Sequence, residues 1–386
     1  MWRSRELRVL RGDLGLFLML AVVHCPLALQ LADGVSRRQA LSLASGAAAA
    51  SVLSPGAATA AASPLKLPSF GVGAWAWGDS LFWKYEKKED AALRDVFDYV
   101  VENGVTLFDT AEVYGLGRSE TLLGQFAASN PKAANIQIAT KFAALPWRTK
   151  PSDVLEAAKK STDRLGRPID LYQIHFPNAY ANEEYWDGLA MAVDSGLVKA
   201  AGVSNYGKDA VRACKARLAS RGVPLVSNQI QLSLLYDYPL KNGLIDECKA
   251  QGVQVLAYSP LGLGLLTGKY TAESLPTGPR KSIAEKALAD PAFGPLLDTM
   301  REVGRGSASP AQVALAWCAA KGTTVIPGAR TLKQAESNLA ARSLKLTAAD
   351  VAALDAASAK LGPVLSPDSG PFPKKDKDTG LVMFDS

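Results

Sequence analysis

Three residues that could do acid–base chemistry stand at the ends of successive short apolar segments. Asp109, Lys141 and His175 each end a β-rich run, and the runs lie roughly 30 residues apart. Each residue also has an ordinary structural role open to it, because an aspartate can cap a helix, a lysine can be a surface charge and a histidine can be a buried hydrogen-bonding group. An acid, a base and an imidazole at three successive ends favour a shared active site.

Polar pairs end the next three apolar segments in the same way. They are Ser204-Asn205, Asn228-Gln229 and Tyr258-Ser259. In a parallel barrel the carboxyl ends of all strands meet at one mouth, where the connecting loops carry the chemistry. The pairs are therefore expected to face the same mouth as Asp109, Lys141 and His175.

The elements that must position these residues alternate regularly from Leu65 onward. Eight short β-rich runs are predicted as strands: Gly71–Ala76, Val105–Asp109, Ile136–Lys141, Asp170–His175, Ala200–Ser204, Leu225–Gln229, Val253–Tyr258 and Thr324–Pro327. Amphipathic stretches are predicted as helices: Glu89–Glu102, Ser119–Ala128, Pro151–Arg164, Asn182–Ser195, Lys208–Ala219, Gly243–Gln251 and Ala348–Lys360. This alternation over residues 64–361 predicts an α/β fold with a single domain, a closed parallel (β/α)8 TIM barrel.

An open, doubly wound sheet is the alternative interpretation. Such a sheet would normally carry GxGxxG after its first strand, and none of the Gly-x-Gly triplets at 71–73, 115–117 and 262–264 completes that pattern. The run Gly264–Tyr270 also departs from a P-loop, because its glycines are one residue too close and tyrosine stands where Ser or Thr should bind magnesium. The barrel is therefore favoured.

Composition and charge exclude several classes of function. The chain has 386 residues, 48% of them apolar, and a formal net charge of +6; half of that charge falls in the first 63 residues, and no long basic run follows. Nucleic-acid binding therefore has no support. Beyond residue 63 only His175 and three widely spaced cysteines remain, so neither a metal site nor a disulfide framework is expected. A Ser-His-Asp hydrolase would have to use His175.

Residues 1–63 have the composition of a targeting leader. Arg-rich Met1–Arg11 precedes the apolar stretch Leu14–Leu31, and the twin arginines Arg37-Arg38 precede a second weakly apolar stretch that reaches Ala57–Ala62. Two signals in series resemble the layered address of a plastid protein, in the stroma or the thylakoid lumen. A single transit peptide and bacterial twin-arginine export are the alternatives. No stable membrane span is expected in the mature protein, and residues 362–386 are predicted as a C-terminal tail.

Several motifs resemble those of the aldo-keto reductase family. The run Phe108–Gly115, with Ser119-Glu120 after it, resembles the family signature. Further motifs follow in the family's order: Ala139–Lys141, Gln173–His175, Gly202–Asn205, Ser227–Gln229, Ala257–Leu261 and Ile326–Arg330. Within the family, the stretch Thr140–Trp147 is most similar to plastid and bacterial enzymes, some of which reduce pyridoxal.

The resemblance implies an NADPH-dependent reductase of aldehydes and ketones, with a small-molecule carbonyl substrate and a catalytic tetrad of Asp109, Tyr114, Lys141 and His175. Carbonyl reduction needs a hydride at carbon and a proton at oxygen, and a tyrosine of pKa about 10 donates poorly near neutrality. A Lys141 ammonium about 4 Å away would stabilise the phenolate by about 4 kcal/mol at an effective dielectric of about 20. Asp109 would hold Lys141, and His175 would orient the substrate.

The resemblance also implies where NADPH would bind. The nicotinamide ring would stack on Tyr258, and the pyrophosphate would lie under Leu261–Lys269. The residues expected at the cofactor are Ser204, Asn205, Gln229, Tyr258, Ser259, Leu261, Gly264, Lys269, Gly328, Ala329, Arg330, Gln334 and Asn338. Arg330 and Lys333 would favour NADPH over NADH through the 2′-phosphate, although Gln334 stands where relatives have an arginine.

The predicted substrate pocket and the predicted function each have an alternative interpretation. Aromatic residues expected to wall an apolar substrate pocket are Trp75, Trp77, Trp83, Phe142 and Trp147, and ordinary core packing is the other interpretation of each. The rival function belongs to another class, because the aldo-keto reductase fold also serves as a potassium-channel β subunit that senses NADPH. The complete tetrad favours the enzyme, and the sequence indicates no oligomeric state.

Overall fold

Eight parallel strands, adjacent in the order in which they occur in the chain, form one sheet in the computed structural model, which describes residues 65–178 and 181–365. The strands are β1 (Val72–Gly73), β2 (Leu107–Asp109), β3 (Gln137–Phe142), β4 (Ile169–Ile174), β5 (Val198–Ser204), β6 (Leu225–Gln231), β7 (Gln254–Tyr258) and β8 (Thr324–Val325). The predicted targeting leader and nearly all of the predicted tail lie outside the described residues.

The first and last strands close the sheet on itself. The amide of Gly71 donates to the Val325 carbonyl at 2.9 Å, and the amide of Gly73 donates to the Pro327 carbonyl at 3.0 Å. The sheet is therefore a closed parallel barrel, which confirms the predicted architecture. The two seam strands are shorter than predicted, and Pro327 has no N–H with which to extend β8.

Helices follow the strands and cover the outside of the barrel. They are α1 (Asp90–Glu102), α2 (Arg118–Ser129), α3 (Pro151–Leu165), α4 (Asn182–Asp194), α5 (Lys208–Ala219), α6 (Tyr238–Lys241), α7 (Leu244–Ala250), α8 (Arg280–Ala289), α9 (Phe293–Gly304), α10 (Pro310–Ala320), α11 (Leu332–Ala340) and α12 (Ala348–Ser358). The helices predicted between residues 89 and 251, and the last one, are confirmed to within a residue or two at each end. In the described part of the chain, none of the helices has the length and apolarity needed to span a membrane.

Two apolar layers lie on the two faces of the sheet. Inside the barrel, side chains from successive strands meet, including Leu107, Ala139, Leu171, Val226 and Leu256. Outside it, a larger layer packs the strands against the helices. Neighbouring residues of a strand point to opposite faces of the sheet, so every second side chain points into the barrel. Where the last of these inward residues is polar, its side chain lies at the mouth.

Candidate active site

A buried ion pair lies at the carboxyl ends of β2 and β3. The Lys141 ammonium donates to Asp109 Oδ1 at 2.6 Å and to the Thr110 carbonyl oxygen at 2.8 Å. Lys141 is fully buried and Asp109 is 3% exposed. Burial lowers the pKa of Lys141, and the Asp109 carboxylate opposes that shift. The structure therefore brings together the two predicted residues that carry opposite charges.

Two amide side chains hold the second oxygen of the same carboxylate. Gln229 Nε2 donates to Asp109 Oδ2 at 2.6 Å, and Gln173 Nε2 donates to it at 3.3 Å. Both glutamines are buried. Gln229 was expected at the nicotinamide carboxamide; its amide nitrogen contacts Asp109, and its contact with the cofactor stays a prediction. The contact of Gln173 was not predicted, although Gln173 lies on β4 two residues before His175, a spacing that puts both side chains on the same face.

Tyr114 lies against this ion pair on a tight turn after β2. The Lys141 ammonium is 5.1 Å from the centroid of the Tyr114 ring, and the His175 ring centroid is 5.7 Å away, edge to face. The turn continues through Gly115, where φ is 56°. A Cβ there would lie 2.2 Å from the Gly78 carbonyl oxygen, so only glycine lets the turn pack against the loop after β1.

The electrostatics of the site differ from the sequence expectation for Tyr114. Burial, and then the charge of Asp109, raise the pKa of Tyr114 well above its ordinary value of 10. The expected lowering of this pKa by Lys141 was wrong, because burial and the Asp109 carboxylate, which pairs with Lys141 at 2.6 Å, act in the opposite direction. Burial, and then Lys141, lower the pKa of His175 well below 6.5. Near pH 7 the tyrosine therefore holds its proton and the imidazole is neutral.

One hydrogen-bonded network links the ends of β4 to β7. Tyr258 donates its hydroxyl to Asn205 Oδ1 at 2.9 Å, and Asn205 Nδ2 donates to the His175 carbonyl oxygen at 3.1 Å. Ser204 donates its hydroxyl to the Gln229 carbonyl oxygen at 2.8 Å. Asn205 has a φ of 62°, in the left-handed region, which asparagine tolerates better than most residues. These predicted cofactor residues therefore form one connected group beside the predicted tetrad.

The predicted pyrophosphate segment lies between β7 and α8. It is a tight turn over Gly262–Thr267, where Gly264 has a φ of 94°, and Lys269 places its ammonium 4.8 Å from the Tyr270 ring centroid. Arg280 places its guanidinium 4.6 Å from the centroid of the Trp83 ring. Two donor atoms in this group, Trp83 Nε1 and Arg280 Nε, are buried without a partner. A cation and unpartnered buried donors beside a glycine turn fit a phosphate group.

The predicted adenosine segment follows β8 and opens α11. The Arg330 amide donates to Gln334 Oε1 at 2.8 Å, and Asn338 Nδ2 donates to the Gly328 carbonyl oxygen at 3.1 Å. The Ala329 carbonyl oxygen accepts from Trp77 Nε1 at 2.8 Å. Thus Gln334 and Asn338 shape the backbone of this turn, and Arg330 extends from it.

Two of the predicted substrate-pocket aromatics point away from the mouth. Trp77 is fully buried beside Phe126 of α2, at 6.1 Å between ring centroids. Phe142 is fully buried beside Tyr185 of α4, at 5.1 Å. Both side chains belong to the apolar layer between the strands and the helices, so their assignment to the pocket was wrong. Phe142 follows the inward-pointing Lys141 on β3 and therefore faces the helices.

Two others stay at the mouth. The Trp75 ring centroid lies 6.0 Å from that of Tyr114, and Trp147 is 60% exposed in the loop after β3. That loop is fixed by Glu112, a residue that sequence analysis did not single out; its Oε1 accepts from the Ala143 amide at 2.6 Å and from Arg148 Nη1 at 2.7 Å. Among the described residues, no group of three or more His, Cys, Asp or Glu side chains could hold a metal ion.

Comparison with known proteins defines the class of this protein. The family model described as the aldo/keto reductase family matches residues 69–359. The chain therefore belongs to the aldo/keto reductase family and is an enzyme of that class. It is 42% identical over 299 residues to a chloroplastic pyridoxal reductase of Arabidopsis thaliana, an alignment that covers 74% of this chain and 81% of the relative. It is 38% identical over 307 residues to an uncharacterized oxidoreductase of Mycobacterium tuberculosis, with coverage of 76% and 90%.

Solved structures show the same fold. A glycerol dehydrogenase from Gluconobacter oxydans matches with a TM-score of 0.64 at 25% identity, covering 77% of this chain and 93% of that one. An aldo-keto reductase from Klebsiella pneumoniae, solved in complex with NADPH, matches with a TM-score of 0.60 at 21% identity, covering 82% and 95%.

Proposed function

We propose that this protein reduces aldehydes or ketones to alcohols with NADPH, and that Tyr114 is the proton donor. The observation that carries this proposal is the convergence of Tyr114, Lys141 and His175 around one point at the mouth of the barrel. A phenol, a buried cation and a neutral imidazole can together protonate and orient a carbonyl oxygen. Family membership supports the same reaction.

The chain offers residues that fit the cofactor. Tyr258 would stack on the nicotinamide ring, and Ser204 and Asn205 would hold its carboxamide. Arg280, which sequence analysis did not single out, joins Lys269 as a cation for the phosphates, since its Nε and the neighbouring Trp83 Nε1 are buried without a partner. Arg330, just before α11, would take the 2′-phosphate. When bound, NADPH supplies the hydride.

The protein's own residues would manage the proton. His175, neutral because its pKa is lowered, can donate one N–H to the carbonyl oxygen and fix it beside Tyr114. As hydride reaches the carbon, the oxygen becomes an alkoxide, a stronger base than a phenolate, and takes the hydroxyl proton of Tyr114. Tyr114, whose pKa is raised above 10, is protonated at neutral pH and gives up this proton only to a base as strong as the alkoxide. Lys141 would stabilise the phenolate that is left.

Substrate and location extend the proposal. The exposed Trp147 and the half-buried Trp75 leave apolar ring surface at the mouth, which suits an aromatic aldehyde. The pyridoxal reductase relative makes pyridoxal the first aldehyde to assay. Because that relative is chloroplastic and residues 1–63 resemble a plastid address, we place the mature enzyme in the plastid, with residues 64–361 as its catalytic barrel and residues 362–386 as its tail.

The test is NADPH oxidation, followed at 340 nm, over a panel of aldehydes that includes pyridoxal. Tyr114→Phe should lower kcat by at least about a hundredfold and leave the dissociation constant of NADPH unchanged, because its contact with the substrate matures in the transition state. Tyr172→Phe is the matched control, since the Tyr172 hydroxyl is buried without a partner on the outer face of β4. It should leave kcat unchanged.

Three results would contradict the proposal. An equal loss of kcat in both variants would point to a general effect of removing a buried tyrosine hydroxyl, and not to a catalytic role of Tyr114. Full activity in Tyr114→Phe would remove its role as proton donor. Tight NADPH binding without turnover in the wild-type protein would favour a nucleotide-sensing role instead.

A further inference from the structure

Arg330, the residue proposed to take the cofactor's 2′-phosphate, already has an anionic partner. Its Nη2 donates to the Glu89 carboxylate, and its Nη1 donates to the Trp83 carbonyl oxygen at 2.7 Å. Glu89 precedes α1 and Arg330 precedes α11, so the contact joins the loops after β1 and β8 across the barrel seam. The side chains of Arg330 and Glu89 are 26% and 25% exposed, so the pair is only partly screened by water.

Glu89 is held in this position from its own side. Its Oε1 accepts from the Glu86 amide at 3.1 Å, which caps the short helical turn Lys87–Glu89. Moving the Glu89 carboxylate away when another anion binds therefore requires breaking this hydrogen bond. A phosphate dianion that reaches Arg330 must either displace Glu89 or share the guanidinium with it, and both outcomes cost binding energy.

We propose that Glu89 is a cofactor-specificity residue, which competes with the 2′-phosphate for Arg330 and so limits the preference of this protein for NADPH over NADH. This inference rests on the proposed function, because it takes Arg330 as the phosphate-binding residue. NADH carries a single 2′-hydroxyl where NADPH carries the phosphate, and this neutral group is not repelled by the Glu89 carboxylate. The competition therefore acts on one of the two cofactors only.

The experiment measures dissociation constants for NADPH and NADH with the full-length protein, by fluorescence titration without substrate. Glu89→Gln removes the charge and keeps one acceptor oxygen, which can accept from the Glu86 amide or from Arg330, whereas the carboxylate uses a separate oxygen for each. We expect it to tighten NADPH binding about threefold and to leave NADH binding unchanged. The gain should shrink as salt is added, because the effect is electrostatic.

Two further variants separate the ways in which this inference could fail. Glu86→Gln removes another carboxylate of the same loop. The Glu86 carboxylate pairs with Lys88 and does not contact Arg330, so its loss should change neither dissociation constant. Arg330→Met should weaken NADPH binding by at least about fivefold and spare NADH. If it spares NADPH as well, the proposed placement of the cofactor is wrong. If Arg330→Met weakens NADPH binding but Glu89→Gln does not tighten it, or tightens both cofactors equally, Glu89 has no specificity role.

Discussion

Lys141 and Asp109 depend on each other unequally. Without Asp109, the Lys141 ammonium keeps one acceptor, the Thr110 carbonyl oxygen. Without Lys141, the Asp109 carboxylate keeps two amide donors, from Gln229 and Gln173. A buried charge with too few partners costs more than one that is well hydrogen-bonded, so the two halves of the pair contribute differently to stability.

Asp109→Asn should therefore lower the free energy of unfolding by about 3 kcal/mol, and Lys141→Met by less. The double variant should be more stable than the sum of the single effects predicts by at least about 1 kcal/mol, because it leaves no uncompensated charge. Urea denaturation of the four proteins, followed by tryptophan fluorescence, measures these terms. Additive effects would show that the two side chains are not coupled. All three variants should lose turnover.

The sequence was sufficient to predict which polar residues lie at the strand ends, but it was not sufficient to predict the direction of every side chain. Asp109, Lys141 and His175 were found because their types and their places at strand ends agree. Phe142 was wrongly placed in the substrate pocket, since its position near the mouth does not show where its ring points, and strand alternation turns it toward α4. The ion pair of Glu89 with Arg330 joins residues 241 positions apart, and no local pattern marks it.

Helices α2 and α3 pack through a glycine contact. A Cβ on Gly124 in α2 would lie 2.5 Å from the carbonyl oxygen of Leu165, the last residue of α3. Because backbone cannot yield as a flexible side chain does, the two helices can be this close only if residue 124 lacks a side chain. The approach matters for the site, since Tyr114 lies on the turn that leads into α2.

Gly124→Ala should destabilise the protein by about 1–3 kcal/mol, because the helices must separate to admit the methyl group. Gly294→Ala is the matched control in α9: nothing lies within 4 Å of its Cβ position, so the substitution should be neutral or stabilise by up to about 1 kcal/mol. Thermal unfolding followed by circular dichroism at 222 nm gives both values. An equal response of the two variants would mean that the α2–α3 contact is not tight.

Elements were predictable to the extent that their patterns are long. Amphipathic helices such as Pro151–Leu165 and Lys208–Ala219 were found almost to the residue, because many positions support each one. The seam strands β1 and β8 were overestimated, since an apolar run shows β propensity but not where its partner strand stops pairing. Helices α8, α9 and α10 were not delimited beforehand, although α9 buries Phe293, Leu296 and Met300 at helical spacing.

His175, at the mouth of the folded barrel, has a proposed role in catalysis and also makes the stability of the protein depend on pH. His175 is the only histidine after residue 24, and burial, with Lys141 nearby, keeps its folded-state pKa well below 6.5. The unfolded chain binds a proton there near pH 6.5, whereas the folded protein does not. Acidification through this window therefore favours the unfolded state.

The free energy of unfolding should fall by about 1 kcal/mol from this imidazole between pH 7 and pH 5.5. His175→Asn should lack that part of the decline, so the difference between the two pH profiles isolates it from the carboxylates that titrate lower. Guanidinium denaturation at matched pH values measures both profiles, and His24, present in both proteins, cancels. Parallel profiles would mean that His175 is protonated as readily in the folded protein as in the unfolded chain. The proposed orientation of the substrate, which depends on a neutral imidazole, would then fail.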